Sequence, residues 1–221
     1  MSDESHTALA SRPLRKDAER NRQRILASAR VLFAERGVDV GLDEIARTAG
    51  VGVGTVYRRF PDRDALIDEL LDDKIAEIEC AATDALEIDD PWDGLVQFLE
   101  RTQEMQAADR GLKEALLVPN RGKERLAAAR QRIDPLLETL IERAQESGGL
   151  RPDVRFEDFA LLMEMVGSVS DATHEADPGL WRRYLRIVID GLATSRDSPS
   201  DLGLGPLDRE RLAQALCASA R

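Results

Sequence analysis

The sequence is poor in the residues that cross-link, ligate or catalyse. Its 221 residues include two cysteines, Cys80 and Cys217, and two histidines, His6 and His174. Two cysteines make no disulfide framework and point to a reducing, cytoplasmic setting. His174 has Asp171, Glu175 and Asp177 nearby. Helical spacing puts only Asp171 on its face and no second histidine supports it, so a solvated helix end accounts for the group better than a metal site. There is no Gly-x-Ser-x-Gly, no P-loop and no Cys-x-x-Cys, so no catalytic residue, metal or cofactor is assigned. Aromatics are 4% of the chain and strand-like alternation is nearly missing, which argues against a β-rich fold. No apolar run reaches the about 20 residues that span a bilayer, and the polar N-terminus is not a signal peptide. A cytoplasmic protein without a membrane partner is expected.

What the chain does have is helix formers. Ala, Leu, Glu and Arg dominate, hydrophobic residues at 43% suffice for a core and charged residues at 33% for a soluble surface. The length suits one large domain, or a small one followed by a larger one. The net charge of −11 is unevenly spread: residues 1–60 hold 11 Lys and Arg against 8 Asp and Glu, residues 61–221 hold 20 against 34. Phosphates favour the basic first part and repel the acidic remainder.

The stretch Asp43–Phe60 organises the basic part. Ile45, Ala46 and Ala49 recur at helical spacing, and Gly50 follows where a turn needs positive φ. A second short helix, Val53–Phe60, turns Val56 and Phe60 inward and leaves Thr55, Tyr57, Arg58 and Arg59 outside. Helix, glycine turn and a helix carrying hydroxyl and guanidinium groups make a DNA-binding helix-turn-helix. A hairpin inside a helical bundle is the plainer alternative, but it has no need of two adjacent arginines beside a tyrosine. The preceding helix, Asp17–Arg36, stops at Gly37, carries Ile25, Ala29, Leu32 and Phe33 inward, and offers Arg20, Arg22 and Arg24 to phosphates. Residues 1–16 read as a flexible arm, in which Arg12, Arg15 and Lys16 either reach a minor groove or merely solubilise the chain.

The run Ile25–Gly37, then Asp43–Ala46, Ala49–Val51, Gly54–Tyr57, Phe60 and Arg63–Leu66 resembles the TetR family of bacterial transcriptional regulators. The likeness covers about residues 17–70, and beyond them it is one of architecture. It implies an all-α, homodimeric protein: an N-terminal three-helix DNA-binding domain (residues 17–61) and a larger C-terminal helical bundle (residues 62–221) for effector binding and dimerisation. It implies phosphate contacts from Tyr57, Arg59 and Arg63, the last where the family usually has a lysine, base contacts from Thr55 and Arg58, and close approach at Gly54. Gly41-Leu42-Asp43-Glu44 departs from the family, which usually places Ser or Thr near that N-cap. Glu44 is instead expected as the acid of a capping box.

Later elements follow from breakers and periodicity. Pro61-Asp62 ends the second short helix, and Asp62 caps a helix to Leu86 whose face Asp64, Asp68, Glu69, Asp72 and Asp73 reads as solvated surface. Further helices are expected over Trp92–Asp109, Leu112–Val118, Lys123–Ser147 (kinked at Pro135), Val154–Glu175, Pro178–Arg196 and Leu207–Ala220. Phe98, Thr102 and Met105, with Leu136, Leu137, Leu140 and Glu164, are the candidates to line an effector pocket, against the reading that such stripes are core. Trp181, Tyr184, Leu185, Val188 and Leu192 form an apolar seam that reads as a dimer interface, with Gly167 allowing a partner helix close approach. The expected function is a repressor that binds an inverted-repeat operator as a homodimer and is released by a small molecule. The alternatives are control by a protein partner or no effector and, remotely, an α-helical enzyme.

Overall fold

The structure is a computed structural model that describes residues 5–37, 39–108 and 122–194, with side chains from Lys16 onward except at positions 122, 123, 125 and 126. Among these residues there are eight helices: α1 (Ser5–Arg36), α2 (Leu42–Ala49), α3 (Val53–Arg59), α4 (Arg63–Leu86), α5 (Pro91–Ala108), α6 (Gly122–Glu146), α7 (Phe156–Thr173) and α8 (Trp181–Leu192). Leu150 and Ala193 form an isolated antiparallel bridge. The fold class is all-α. The helices expected at Leu112–Val118 and Leu207–Ala220 lie outside the described residues, as does Cys217.

Two compact units divide the chain. The first contains α1, α2, α3 and the start of α4 up to Asp73. Its core joins Ile25, Leu26, Ala29, Leu32 and Phe33 of α1 to Ile45, Ala46 and Ala49 of α2, Val56 and Phe60 around α3, and Leu66, Ile67 and Leu70 of α4. Each such large side chain contributes about 1.5–3 kcal/mol when fully buried. Because three residues of α4 belong to this core, the unit reaches beyond Pro61, where the domain boundary was expected.

The first helix also differs from expectation. It begins at Ser5 rather than near Asp17, so residues 5–16 are helical. The reason is local: Ala8, Leu9, Ala10, Leu14, Arg15 and Lys16 are strong helix formers. They carry the helix across Pro13 despite the lost N–H and the crowding of the i−4 carbonyl that a proline inside a helix brings. Gly37, at φ 77°, ends α1, and its N–H donates to the Phe33 carbonyl at 3.0 Å.

The second unit holds the rest of α4 with α5, α6 from Leu126 onward, α7 and α8. Asp90 caps α5, its Oδ1 accepting from the N–H groups of Trp92 (2.8 Å) and Asp93 (3.2 Å), with Pro91 in the first turn. Pro135 lies inside α6, and two residues past its end Gly148 takes the left-handed conformation. The Leu150–Ala193 bridge ties the loop after α6 to the end of α8: Arg151 N–H donates to the Leu192 carbonyl and Thr194 N–H to the Gly149 carbonyl, both at 3.0 Å. α7 packs on α5 and α8, around Leu95, Phe98, Leu99, Phe159, Val166, Trp181 and Leu185.

Candidate nucleic-acid interface

The helix-turn-helix is built from backbone inward. Gly41, extended at φ −76°, accepts at its carbonyl from the N–H groups of Glu44 (3.1 Å) and Ile45 (3.2 Å) and so opens α2 without a side-chain cap. Glu44 does not close a capping box; its carboxylate pairs with Arg36 of α1 instead. Gly50 closes α2 at φ 62°, the left-handed position a residue with Cβ enters only with strain. A Cβ there would also meet Arg24 Nη2 at 2.7 Å. Gly52 opens α3, accepting from Thr55 N–H at 2.8 Å.

One face of α3 anchors and the other is exposed. Val56 and Phe60 are buried in the first core. Val53, Gly54, Tyr57, Arg58 and Arg59 face solvent, with Thr55 half-buried. At Gly54 there is open space, nothing lying within 4 Å of where a Cβ would stand, which suits close approach of a ligand to the backbone. The Arg58 guanidinium reaches back to Thr55 Oγ1 at 3.4 Å, joining the two residues expected to meet bases.

Several donors around α3 are held by acids. The Tyr57 hydroxyl donates to the Asp43 carboxylate of α2, and that bond, with the Asp43 charge, raises the phenol above its usual 10.0. Arg59 Nη2 donates to Glu69 Oε1 at 2.9 Å and the guanidinium lies 5.3 Å from the Phe60 ring centroid. Arg63, half-buried at the start of α4, donates to Asp39 at 2.9 Å. Of the α1 candidates, Arg20 donates to Asp17 at 2.6 Å and Arg24 to the Gly50 carbonyl at 3.3 Å.

Arg22 departs from expectation. Its Nε donates to Glu69 Oε1 at 2.5 Å, Nη2 to Asp73 at 2.6 Å and Nη1 to Glu19 at 3.1 Å, with its side chain only 18% exposed. Burial alone would lower its pKa, but the bonds and charges of Glu69 and Asp73 outweigh it and leave the guanidinium above its usual value. It ties helices together instead of facing phosphates. By the same contacts Glu69 and Asp73 are not solvated surface: one turn apart on α4, they form a counter-face to α1. Sequence reasoning missed Asp43 and Glu69 as parts of this site. Their signal was the spacing of acids along α2 and α4, which does not name the cation each one meets.

The C-terminal candidates separate. Phe98 and Leu140 are buried, with Met105, Leu136 and Leu137 packed on the same cluster. Thr102 Oγ1 donates to its own helix, to the Phe98 carbonyl at 2.8 Å. Glu164 is exposed. On α8, Trp181, Leu185 and Leu192 are buried in this chain's own core and Val188 is packed against it, so they offer little area to a second chain. Gly167 likewise faces inward, beside the amides of Gln106 and Gln103. Exposed apolar groups are instead Tyr184 and Ile187 on α8 and Leu161 and Met165 on α7. Among the described residues no helix is long and apolar enough to cross a membrane.

Residues 25–70 match the profile of bacterial regulatory proteins of the tetR family, and residues 90–194 that of the SbtR-like transcriptional regulator C-terminal domain. The structure is similar to that of the TetR transcription regulatory protein from Mycobacterium vanbaalenii, with 34% identity, 82% of this chain and 100% of that one covered, and a TM-score of 0.64. A TetR transcriptional regulator of Streptomyces coelicolor is 31% identical over 79% of this chain and 99% of its own, with a TM-score of 0.60. An HTH-type transcriptional regulator of Staphylococcus aureus (strain USA300) is 48% identical over 54 residues, which are 24% of this chain and 29% of that protein's length. With both units matched and the outward face of α3 in place, the chain belongs to the TetR family of bacterial transcriptional regulators, a family of DNA-binding proteins and not of enzymes.

Proposed function

We propose that this chain is a cytoplasmic repressor that binds an inverted-repeat operator as a homodimer and is released by a small molecule. The observation that carries the DNA reading is the division of α3. Val56 and Phe60 fix the helix in the core while Tyr57, Arg58 and Arg59 project from it beside an open Gly54. Arg58 and Thr55 meet base edges; Tyr57, Arg59 and Arg63 meet phosphates, with Arg20 and Arg24 at the margin.

A dimer is supported by the apolar groups that the second unit leaves uncovered. Tyr184 and Ile187 lie one turn apart on α8, Leu161 and Met165 one turn apart on α7, and a second copy covers them. A two-fold dimer presents two recognition helices, so the half-sites mirror each other.

A small-molecule effector is supported by polar atoms that the core does not satisfy. Gln103 on α5 and Ser170 on α7 are 1% and 3% exposed, and Gln103 Nε2 and Ser170 Oγ have no hydrogen-bond partner among the described residues. Such an atom costs about 1–3 kcal/mol when left unmet. Gly167, one turn before Ser170, lets the Gln103 and Gln106 amides come against α7. A ligand group that bonds there, on an apolar body lying along Phe98, Met105 and Leu136, answers both needs. Its effect on DNA equals its preference between the DNA-binding and released states.

Selecting bound duplexes from a random pool tests the reading. A two-fold symmetric consensus is the expected result, and an asymmetric site bound by one chain overturns it.

A further inference from the structure

Three helices of the first unit meet at one carboxylate oxygen. Glu69 Oε1 on α4 accepts from Arg22 Nε of α1 at 2.5 Å and from Arg59 Nη2 of α3 at 2.9 Å. The Glu69 side chain is 24% exposed. Arg22, more buried still, is fixed from its other side by Asp73 at 2.6 Å and by Glu19 at 3.1 Å. Arg22 thus shares one positive charge among three carboxylates, which leaves Glu69 charge to attract Arg59, and the carboxylate cannot relax outward without breaking the Arg22 bond. Arg59 is the last residue of α3, its side chain 49% exposed.

We propose that Glu69 is a positioning residue for DNA binding, its carboxylate held by Arg22 so that it sets the Arg59 guanidinium at the end of the recognition helix for a phosphate. This rests on the reading of Arg59 as a phosphate contact. The physical reason is preorganisation. A free arginine surrenders rotamer freedom when it meets a phosphate, whereas one already fixed surrenders less. Nη2 is taken by Glu69, and a guanidinium carries five N–H donors, so the bond leaves others for the phosphate. The ring of Phe60 supports the same placement from one side. Glu69 therefore strengthens binding even though its own charge is repelled by DNA.

Phosphate contacts do not depend on base sequence, so random duplex DNA is the probe. The dissociation constant is measured over a range of salt for the full chain, for Arg59→Ala, for Glu69→Gln and for the double variant, with thermal denaturation of each as a check on folding. Glu69→Gln is expected to weaken binding about two- to fivefold, as befits a half-exposed ion pair. It is expected to cause no weakening once Arg59 is alanine. If Gln at 69 leaves Arg22 too poorly paired to fold, Glu69→Asp keeps the charge but draws it back from Arg59, and the same dependence on Arg59 is expected. An equal change in both backgrounds assigns Glu69 to overall charge or fold and overturns the proposal. Tighter binding only when Arg59 is present makes Glu69 a competitor and overturns it too. Arg59→Ala without effect on its own overturns the phosphate reading, and the positioning role with it.

Discussion

The carbonyl of Gly50 accepts a hydrogen bond from Arg24 Nη2 at 3.3 Å, so the first helix holds the turn at the residue whose φ is +62°. The turn is thus braced by a side chain from 26 positions earlier in the chain, and a residue with Cβ at 50 meets both the left-handed strain and that guanidinium. Gly50→Ala is expected to destabilise the first unit by about 1–2 kcal/mol, read as a shift of the denaturant midpoint. Unchanged stability would contradict the account of this turn.

Ile187→Glu combined with Met165→Glu places charges on the apolar groups that α7 and α8 leave uncovered. Burying such charges without partners costs several kcal/mol, so sedimentation should show monomers where the unaltered chain shows dimers. Since neither side chain contributes to this chain's own core, the helical content should be unchanged. A dimer that survives both changes removes these helices from the interface.

Glu79 of α4 accepts two bonds from Arg132 of α6, at 2.7 and 2.5 Å, and the hydrogen bonding to Arg132 holds its carboxyl below the usual 4.5. A depressed folded pKa means stability that is complete above the unfolded value and is lost as pH falls through the folded one. The window therefore opens near pH 4.5 and extends below it. Arg132→Gln should lower stability by under about 1 kcal/mol at neutral pH, because both groups are substantially exposed. The gap should close in acid. Melting curves of the two proteins across that range check it; a gap that widens in acid reverses the sign and refutes the pairing.

The sequence was most informative where structure is local. Gly37 and Gly50 stand at the ends of their helices, Asp62 caps α4 through Ala65 N–H at 2.8 Å, and the inward pair Val56 and Phe60 follows from helical spacing. It was least informative where partners are distant. Arg22 and Glu69 are 47 positions apart, and nothing in either neighbourhood distinguishes a phosphate-facing arginine from one that closes a salt bridge. Amphipathicity misled on α8 for a related reason. Trp181, Leu185 and Leu192 make a seam that periodicity detects, but periodicity records that a face is apolar and not whether the covering surface belongs to the same chain. Gln103 was passed over because a polar residue on an apolar stripe reads as a boundary position until its burial is known.

The central claim is that the outward face of α3 reads DNA, with Arg58 on bases and Arg59 on phosphates. The most direct test is the dissociation constant of Arg58→Ala and of Arg59→Ala on selected and on random duplexes. Arg58→Ala should lose about 1–3 kcal/mol on the selected site and little on random DNA. Arg59→Ala should weaken both about equally and reduce the salt dependence by about one unit. Two variants that behave alike on both DNAs, or that bind as well as the unaltered chain, would contradict it.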